Sequence, residues 1–362
     1  MEQTRKTSIF LESKSNLKET LTSWGLPTFR SKQLGDWLFE KRVCDPTRIK
    51  NLPKNLIEKL KDNFSWSLPE IVSRLDSADG STKLLLKGEK GQVFETVILR
   101  YENRISVCLS SQVGCKRACT FCQTGKLGFF RNLRADEIVG QFLIAEKIVQ
   151  EENRHISNMV FMGMGEPFDN FDEVVTALKA FTSKDSYSFS PRKITVSTVG
   201  IPEKILALAH AVPTRLALSL HVASNEERTR LMPTNRRYPI EALKESLLKY
   251  QKISTQRITI EYLLIEGVNN SLAHAKKLVK FLDRLKAKVN LIPYNSHPGM
   301  PWQRPSTESI ENFQRYLASK KIPSPVRYSK GLDISGACGQ LAAKQAHSLE
   351  SIPKRKNVVL AS

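Results

Sequence analysis

Cys115, Cys119 and Cys122 stand in a C-x3-C-x2-C array within Ser111–Gly125, SQVGCKRACTFCQTG. Gaps this short bring three thiolates into one loop. Three thiolates can hold three corners of a [4Fe–4S] cube and leave the fourth iron without a protein ligand. An open iron is a place for chemistry, whereas a fully ligated cube would more naturally carry electrons. Gly114 and Gly125 let backbone approach such a group closely, and Phe121 offers an apolar cover. Structural zinc would ask for four ligands in two close pairs, and no fourth Cys or His has suitable spacing nearby. Inert core thiols are the remaining reading, and three within eight positions are an odd way to fill a core.

Three cysteines lie elsewhere, Cys44, Cys108 and Cys338. Cys338 sits in Gly331–Leu341, GLDISGACGQL, where Gly336 and Gly339 would let a loop enter a tight cavity and move within it. Cys108, taken alone, reads as a buried strand thiol. Glu95 interrupts an apolar run, so it faces either solvent or a cavity.

The bulk numbers bound the partner. With 56 Lys+Arg against 36 Asp+Glu, the 362-residue chain carries a formal charge of +20. That implies a polyanion, nucleic acid ahead of an anionic membrane surface, against the blander reading of scattered solubilising charge. Composition is that of a soluble protein, 40% hydrophobic and 25% charged. No stretch approaches the ~20 apolar residues that span a bilayer, and MEQTRKTSIFLESKS lacks a secretory signal. Six cysteines with three clustered do not form a secreted disulfide framework. The cytoplasm is expected.

Five segments follow from the patterning. Residues 1–80 read as a small helical accessory domain that grips RNA, or equally as a helical cap with a solvated basic face, carrying Arg30, Lys32, Lys41, Arg42, Arg48, Lys50 and Lys54. Residues 81–104 read as a β-hairpin extension. Residues 105–320 alternate six apolar strands with six helices, which predicts an α/β domain built as a partial (β/α)6 TIM-like barrel, two units short of closure. A C-terminal strand and cysteine loop (321–345) and a frayed tail (346–362) complete the chain.

Polar residues collect where the strands end, the place parallel α/β folds put ligands. Gly163-Met164-Gly165-Glu166-Pro167 closes the second barrel strand, Ser197-Thr198 the third, Ser219-Leu220-His221 the fourth and Pro293-Tyr294-Asn295 the sixth. Glu166 can accept from an ammonium, and Ser197 and Asn295 offer neutral hydrogen bonds suited to ribose or adenine. His221 reads as a base or as a cofactor contact. In Lys126–Arg134, Phe129 and Phe130 could stack on bases while Arg131 and Arg134 hold phosphate, or the basic pair could pin the loop to the barrel rim.

The block CKRACTFC resembles the signature of the radical S-adenosylmethionine (SAM) superfamily. With FMGMGEP, ITVSTVG, SLH, LMPTNRRYPI, VNLIPYN and DISGACGQL, nearly the whole chain resembles the dual-specificity ribosomal and transfer RNA adenine C2 methyltransferases. That resemblance implies a [4Fe–4S] cluster on Cys115, Cys119 and Cys122. It implies SAM contacts at Gly165, Glu166, Ser197, Ser219, Leu220, His221 and Asn295, with two SAM consumed per turnover. Cys338 would be the S-methylated cysteine, Cys108 its disulfide partner, and Glu95 the acid near the adenine. The substrates implied are adenine 2503 of 23S rRNA and adenine 37 of tRNA. An external electron donor such as flavodoxin or ferredoxin would serve a monomer, with no membrane. Relatives that methylate C8 of the same adenine share most of these motifs. A non-catalytic RNA-binding protein with a structural metal is the reading from outside the class. Gln123 departs from the family pattern, as does the stretch after Ile334.

Overall fold

A computed structural model describes residues 5–296 and 299–342. The tail expected at 346–362 lies outside the described residues. The chain begins with the short helices α1 (Lys14–Ser23), α2 (Phe29–Gly35) and α3 (Lys54–Asn63). Leu17, Leu21, Leu34, Leu38, Leu56 and Leu60 recur at helical spacing and are buried together. Glu70–Asp76, placed by the sequence within the helical segment, is instead strand β1. It is exposed along most of its length, so its alternation of polar and apolar residues carries little burial signal.

β1 opens an antiparallel meander with β2 (Thr82–Lys87), β3 (Val93–Tyr101) and β4 (Arg104–Cys108). A separate ribbon, β5 (Gln112–Gly114) with β6 (Phe129–Asn132), brackets the three-cysteine loop and α4 (Gln123–Leu127). The chain then alternates: α5 (Ala135–Gln150), β7 (Asn158–Phe161), α6 (Phe171–Thr182), β8 (Ile194–Thr198), α7 (Pro202–Ala211), β9 (Arg215–Ser219), α8 (Asn225–Leu231) and α9 (Ile240–Ile253). β10 (Ile258–Leu264), α10 (Leu272–Leu282), β11 (Ala287–Pro293) and α11 (Thr307–Ser319) finish it. Among the described residues the main sheet runs β1-β2-β3-β4-β7-β8-β9-β10-β11, parallel from β4 onward. Its first and last strands do not pair, so the six parallel strands form an open barrel.

Burial along the strands shows that the barrel is hollow. β8 alternates buried Ile194, Val196 and Thr198 with half-buried Thr195 and Ser197, and β11 alternates buried Val289, Leu291 and Pro293 with half-buried Asn290 and Ile292. Strand side chains alternate faces, so one face packs on helices and the other lines a cavity. The lateral gap is crossed by residues 323–342. Pro323 and Pro325 carbonyls accept from Val289 and Leu291 amides, and a single bridge joins Leu291 to Val326 where a full C-terminal strand was expected.

The helical segment packs on α5 and on the turn after α6. Lys14 N donates to Asp185 O (2.8 Å), Tyr187 Oη to Phe10 O (3.1 Å), and Arg42 pairs with the buried Glu146 carboxylate. Arg42 is therefore internal and leaves the set of basic residues open to RNA. Among the described residues, no helix is long and apolar enough to cross a membrane.

Candidate active site

Cys115, Cys119 and Cys122 line one cavity at the C-terminal ends of the barrel strands, with Cys338 in its wall. The loop bearing the three thiols is wound tightly. A Cβ on Gly125 would stand 3.1 Å from both the amide and the carbonyl of Cys119, and one on Gly114 would collide with Gly128 O. Arg117 clamps the loop to the neighbouring strand end through Asp169 (Nε–Oδ2 2.6 Å) and Thr234 (3.2 Å).

No three His, Cys, Asp or Glu side chains among the described residues converge closely enough for a single metal ion, as tetrahedral zinc with ~2.3 Å Zn–S bonds requires. Three thiols set around one cavity wall suit a cube, which holds its thiolates farther apart. Burial pushes Cys115 up to about 12 and raises Cys119 and Cys122 as well. A cluster held there would have to displace their protons, as metal binding to cysteine does generally.

The same cavity is lined by Gly165, Glu166, Ser197, Ser219, His221 and Asn295. Leu220, expected beside them, does not line it: its side chain is fully buried in the hydrophobic core. The reason is strand alternation, which turns 220 away from the face that 219 shows. Glu166 accepts from Phe168 N (3.0 Å), Thr198 Oγ1 (2.7 Å) and Val199 N (2.9 Å). With roughly four acceptor positions per carboxylate, little capacity is left for an ammonium. Burial nevertheless lifts its pKa to about 7. His221 takes a left-handed backbone (φ 60°) and its Nδ1 accepts from Leu263 N (3.1 Å). That bond puts the proton on Nε2, so the ring is a donor. Burial, and then Arg228, lower its pKa to about 3, so it stays neutral and already spends its lone pair. The geometry fits a contact and not a base.

Cys338 is held where two cavities meet. Gln123 N donates to Gly339 O (2.7 Å), Thr124 Oγ1 to Leu341 O (2.6 Å), and Asp333 takes Ser77 Oγ (2.5 Å) and Ala78 N (3.1 Å). Cys338, Met162, Glu261 and Ile292 line both the cofactor cavity and a second cavity in the N-terminal half of the barrel. Cys108 lines only the second. Burial first, then Cys338, raise the Cys108 thiol far above its ordinary value. Cys338 is exposed to the space of the two cavities, yet enclosure by their walls, then Glu261 and Cys122, lift its thiol to about 11. Glu95 stands apart from both cavities. Its carboxylate accepts from Ala342 N (2.8 Å) and pairs with Lys83 (3.3 Å). In the 126–134 stretch, Arg131 is taken by Glu137 and Arg134 by Asp136 and Glu89, so these cations pin the loop, while Phe129 and Phe130 stay exposed.

Two residues escaped the sequence reading. Arg228 is wholly buried without a carboxylate, donating to Leu220 O (3.2 Å), Val199 O (2.7 Å), Ser219 O (3.2 Å) and Asn235 Oδ1 (2.9 Å). It thereby ties down the strand ends that carry Ser197 and Ser219. Arg228→Met orphans those oxygens, each costing ~1–3 kcal/mol, offset by the relief of a buried charge. We expect a net loss of about 3 kcal/mol in denaturant unfolding, with a weaker SAM affinity by calorimetry.

Glu261, mid-strand in β10, accepts from Asn290 Nδ2 (2.9 Å), and burial lifts its pKa to about 7. The folded state then holds a proton that the unfolded state has released above pH ~4.5. Stability falls as pH rises from about 4.5 to about 7 and levels off beyond. Glu166 shares that window. Glu261→Gln should flatten roughly half of this slope in melting curves of the cluster-free protein from about pH 5 to 8.

Residues 109–281 match the radical SAM superfamily, and residues 11–65 match the ribosomal RNA large subunit methyltransferase N-terminal domain. The dual-specificity RNA methyltransferase RlmN of a Nitratiruptor species is 43% identical over 342 residues, covering 90% of this chain and 96% of its own. The chain belongs to the RlmN family. The probable dual-specificity RNA methyltransferase RlmN of Dictyoglomus turgidum is 39% identical over 330 residues, 91% of this chain and 94% of its own. A radical SAM methyltransferase from Sphaerobacter thermophilus, solved by crystallography, superposes with a TM-score of 0.89 at 39% identity, covering 93% of this chain and 99% of that one. As an RlmN-family member the chain is a SAM-dependent radical RNA methyltransferase whose cofactors are a [4Fe–4S] cluster and SAM.

Proposed function

We propose that the chain methylates C2 of adenine 2503 in 23S rRNA and of adenine 37 in tRNA, through S-methylated Cys338 and a transient Cys108–Cys338 disulfide. The observation that carries this reading is the position of Cys338, in a wall shared by the cavity of Cys115, Cys119 and Cys122 and by the cavity of Cys108. Cys115, Cys119 and Cys122 would hold the cluster, which when bound supplies the electron that splits SAM into methionine and a 5′-deoxyadenosyl radical. Ser197, Ser219 and Asn295 would give neutral hydrogen bonds to SAM, and His221 would donate from Nε2. The amine would lie against Gly165, with only the one acceptor position that Glu166 has left open to it. Leu220 would contribute main chain alone.

Adenine C2 has no lone pair, so it cannot attack the methyl of SAM directly. The Cys338 sulfur can. It takes the methyl of a first SAM, losing its own proton and releasing S-adenosylhomocysteine, and a second SAM serves the radical step. Methylated Cys338 cannot carry a negative charge, which removes one of the two influences that keep Cys108 protonated. After a hydrogen atom is lost from the Cys338 methyl group, its carbon would bond to C2. Cys108 as thiolate would take the C2 proton while the odd electron returns to its donor. Cys108, deprotonated again, would attack the Cys338 sulfur, the C–S pair staying on carbon and picking up a proton. That gives the methyl product and a disulfide that two electrons and two protons from outside reset. Glu95 would meet RNA once Ala342 lifts from its carboxylate. We also infer a monomer working in the cytoplasm with a flavodoxin- or ferredoxin-type donor.

Anaerobic turnover of the reconstituted protein with SAM, reductant, 23S rRNA fragments and tRNA, followed by nucleoside mass spectrometry, tests the reading. It expects 2-methyladenosine. 8-Methyladenosine would overturn it in favour of the C8 chemistry, and no methylated nucleoside in favour of plain RNA binding.

A further inference from the structure

The second cavity is lined from several strands. In β4, Arg104, Ser106 and Cys108 share the inner face; in β11, Lys288, Asn290 and Ile292 do so. Barrel interiors are normally packed with branched apolar side chains. Here Asn158, Thr195, Thr259 and Asn290 line the wall instead, with cations beside them toward the strand N-terminal ends, Arg215 in register with Thr195 and Lys288 with Thr259. Lys193, Arg215, Lys288 and Arg327 make no ion pair or side-chain hydrogen bond among the described residues; three of them are exposed and Lys288 is half-buried. Glu261, deep in the wall and held by Asn290, is the one carboxylate lining this cavity among the described residues. Burial, and then repulsion from Arg327 and Arg215, lower the Lys288 pKa. Such a ring lacks an anion.

Aromatic rings stand beside the cations. Tyr328 is 61% exposed with Arg304 over its ring (5.3 Å), and Tyr101 lies under Arg104 (4.4 Å) and Lys330 (5.4 Å). Cations to hold phosphate, with ring faces to stack on bases, are the equipment of a single-stranded nucleic-acid site.

We infer that the target nucleotide enters through this mouth at the strand N-terminal ends. Its flipped base occupies the second cavity, and its flanking phosphates lie on Lys193, Arg215, Lys288 and Arg327. This rests on the reaction proposed above, which needs the base within reach of both Cys338 and Cys108. Cys108 faces only this cavity, and the cofactor cavity lies on the other side of Cys338. Base and SAM therefore approach the carrier sulfur from opposite sides, and neither must leave for the other to bind. A base taken out of its stack pays an unpairing cost, which phosphate contacts at the rim offset.

The test is steady-state methylation of the 23S rRNA fragment from about 0.05 to 0.3 M salt by wild type, Arg215→Gln, Arg327→Gln and the double variant, with melting temperatures alongside. Each contact to single-stranded phosphate contributes about fivefold at ~0.1 M salt and about 0.7 to the log–log salt slope. We expect KM for RNA to rise about fivefold per substitution and the salt slope to flatten by ~0.7 each. kcat and KM for SAM should hold near wild type. Wild-type KM and slope in the double variant would overturn the inference while leaving the reaction standing, as would slower resetting of the disulfide by an anionic thiol with RNA kinetics unmoved. Failure of wild type to methylate any RNA would sink both.

Discussion

Cys338→Ala is expected to make no methylated RNA at all, while its iron content and visible absorption stay at wild-type levels. The chain has six cysteines, all free. Cys44 belongs to the helical segment, where it touches the hydrophobic core and burial raises its thiol to about 12. Three others, Cys115, Cys119 and Cys122, are the proposed cluster ligands. Of the two that remain, Cys338 alone lines the cofactor cavity, so among the described residues no second uncommitted thiol stands there to receive a methyl group from SAM. Alanine removes the carrier and leaves the loop's fixings untouched, because Gly339, Leu341 and Asp333 make them through main chain or through other side chains. Cleavage of SAM to methionine and 5′-deoxyadenosine should therefore continue, uncoupled from transfer. The measurement is paired: methylated nucleoside by mass spectrometry, and methionine released per cluster. Methylated RNA at even a few per cent of the wild-type rate would mean that the methyl group travels without Cys338.

Much of this arrangement was legible before any coordinates. β8 and β10 are two of the six apolar strands expected between residues 105 and 320, since Ile194–Thr198 and Ile258–Leu264 are rich in β-branched residues. The clustered cysteines and the polar strand ends named most of the cofactor cavity. What escaped has physical causes. Arg228 sits in NEERTRL, which reads as a solvated helix face, and only tertiary structure shows its guanidinium turned inward onto four oxygens. Glu261 within ITIEYLL looks like Glu95 within VFETVIL, an acid in an apolar run. One faces the hollow barrel and the other is covered by Ala342, so the difference is set by parts of the chain remote from both. Ion pairing was equally hidden. Arg131 and Arg134 carry the pattern of a phosphate grip, yet Glu137, Asp136 and Glu89 take them first. Lys193 and Arg215, by contrast, stand at strand starts, and Arg327 joins them on the same cavity from the segment beside β11, remote from both in sequence. Charge alone predicts a polyanion; which cations stay free for it is decided by the fold.

Cys108→Ala should stop the reaction one step later and in a different form, as a covalent adduct between Cys338 and adenine C2. The adduct resolves only if the C2 proton leaves and a nucleophile breaks the bond to the Cys338 sulfur. Other groups in the second cavity can be asked to do the first. Glu261 is buried there as a carboxyl whose pKa is about 7, and it could accept a proton slowly. None of them can do the second, because among the described residues Cys108 is the one thiol besides Cys338 that faces this cavity. The two demands separate in the variants. Cys108→Ser keeps a polar hydrogen at the site but makes no disulfide, and it should trap the adduct as completely as alanine does. Neither change should unfold the chain, since truncating a small buried thiol costs only about 1 kcal/mol. Single-turnover reactions run on denaturing gels should show RNA shifted by the mass of the protein, approaching one adduct per active cluster, with the link mapped to Cys338 by mass spectrometry. Wild type, quenched at the same times, should show little. Free 2-methyladenosine at the wild-type yield from Cys108→Ala, with no shifted band, would remove Cys108 from the reaction and leave its place beside Cys338 without a purpose.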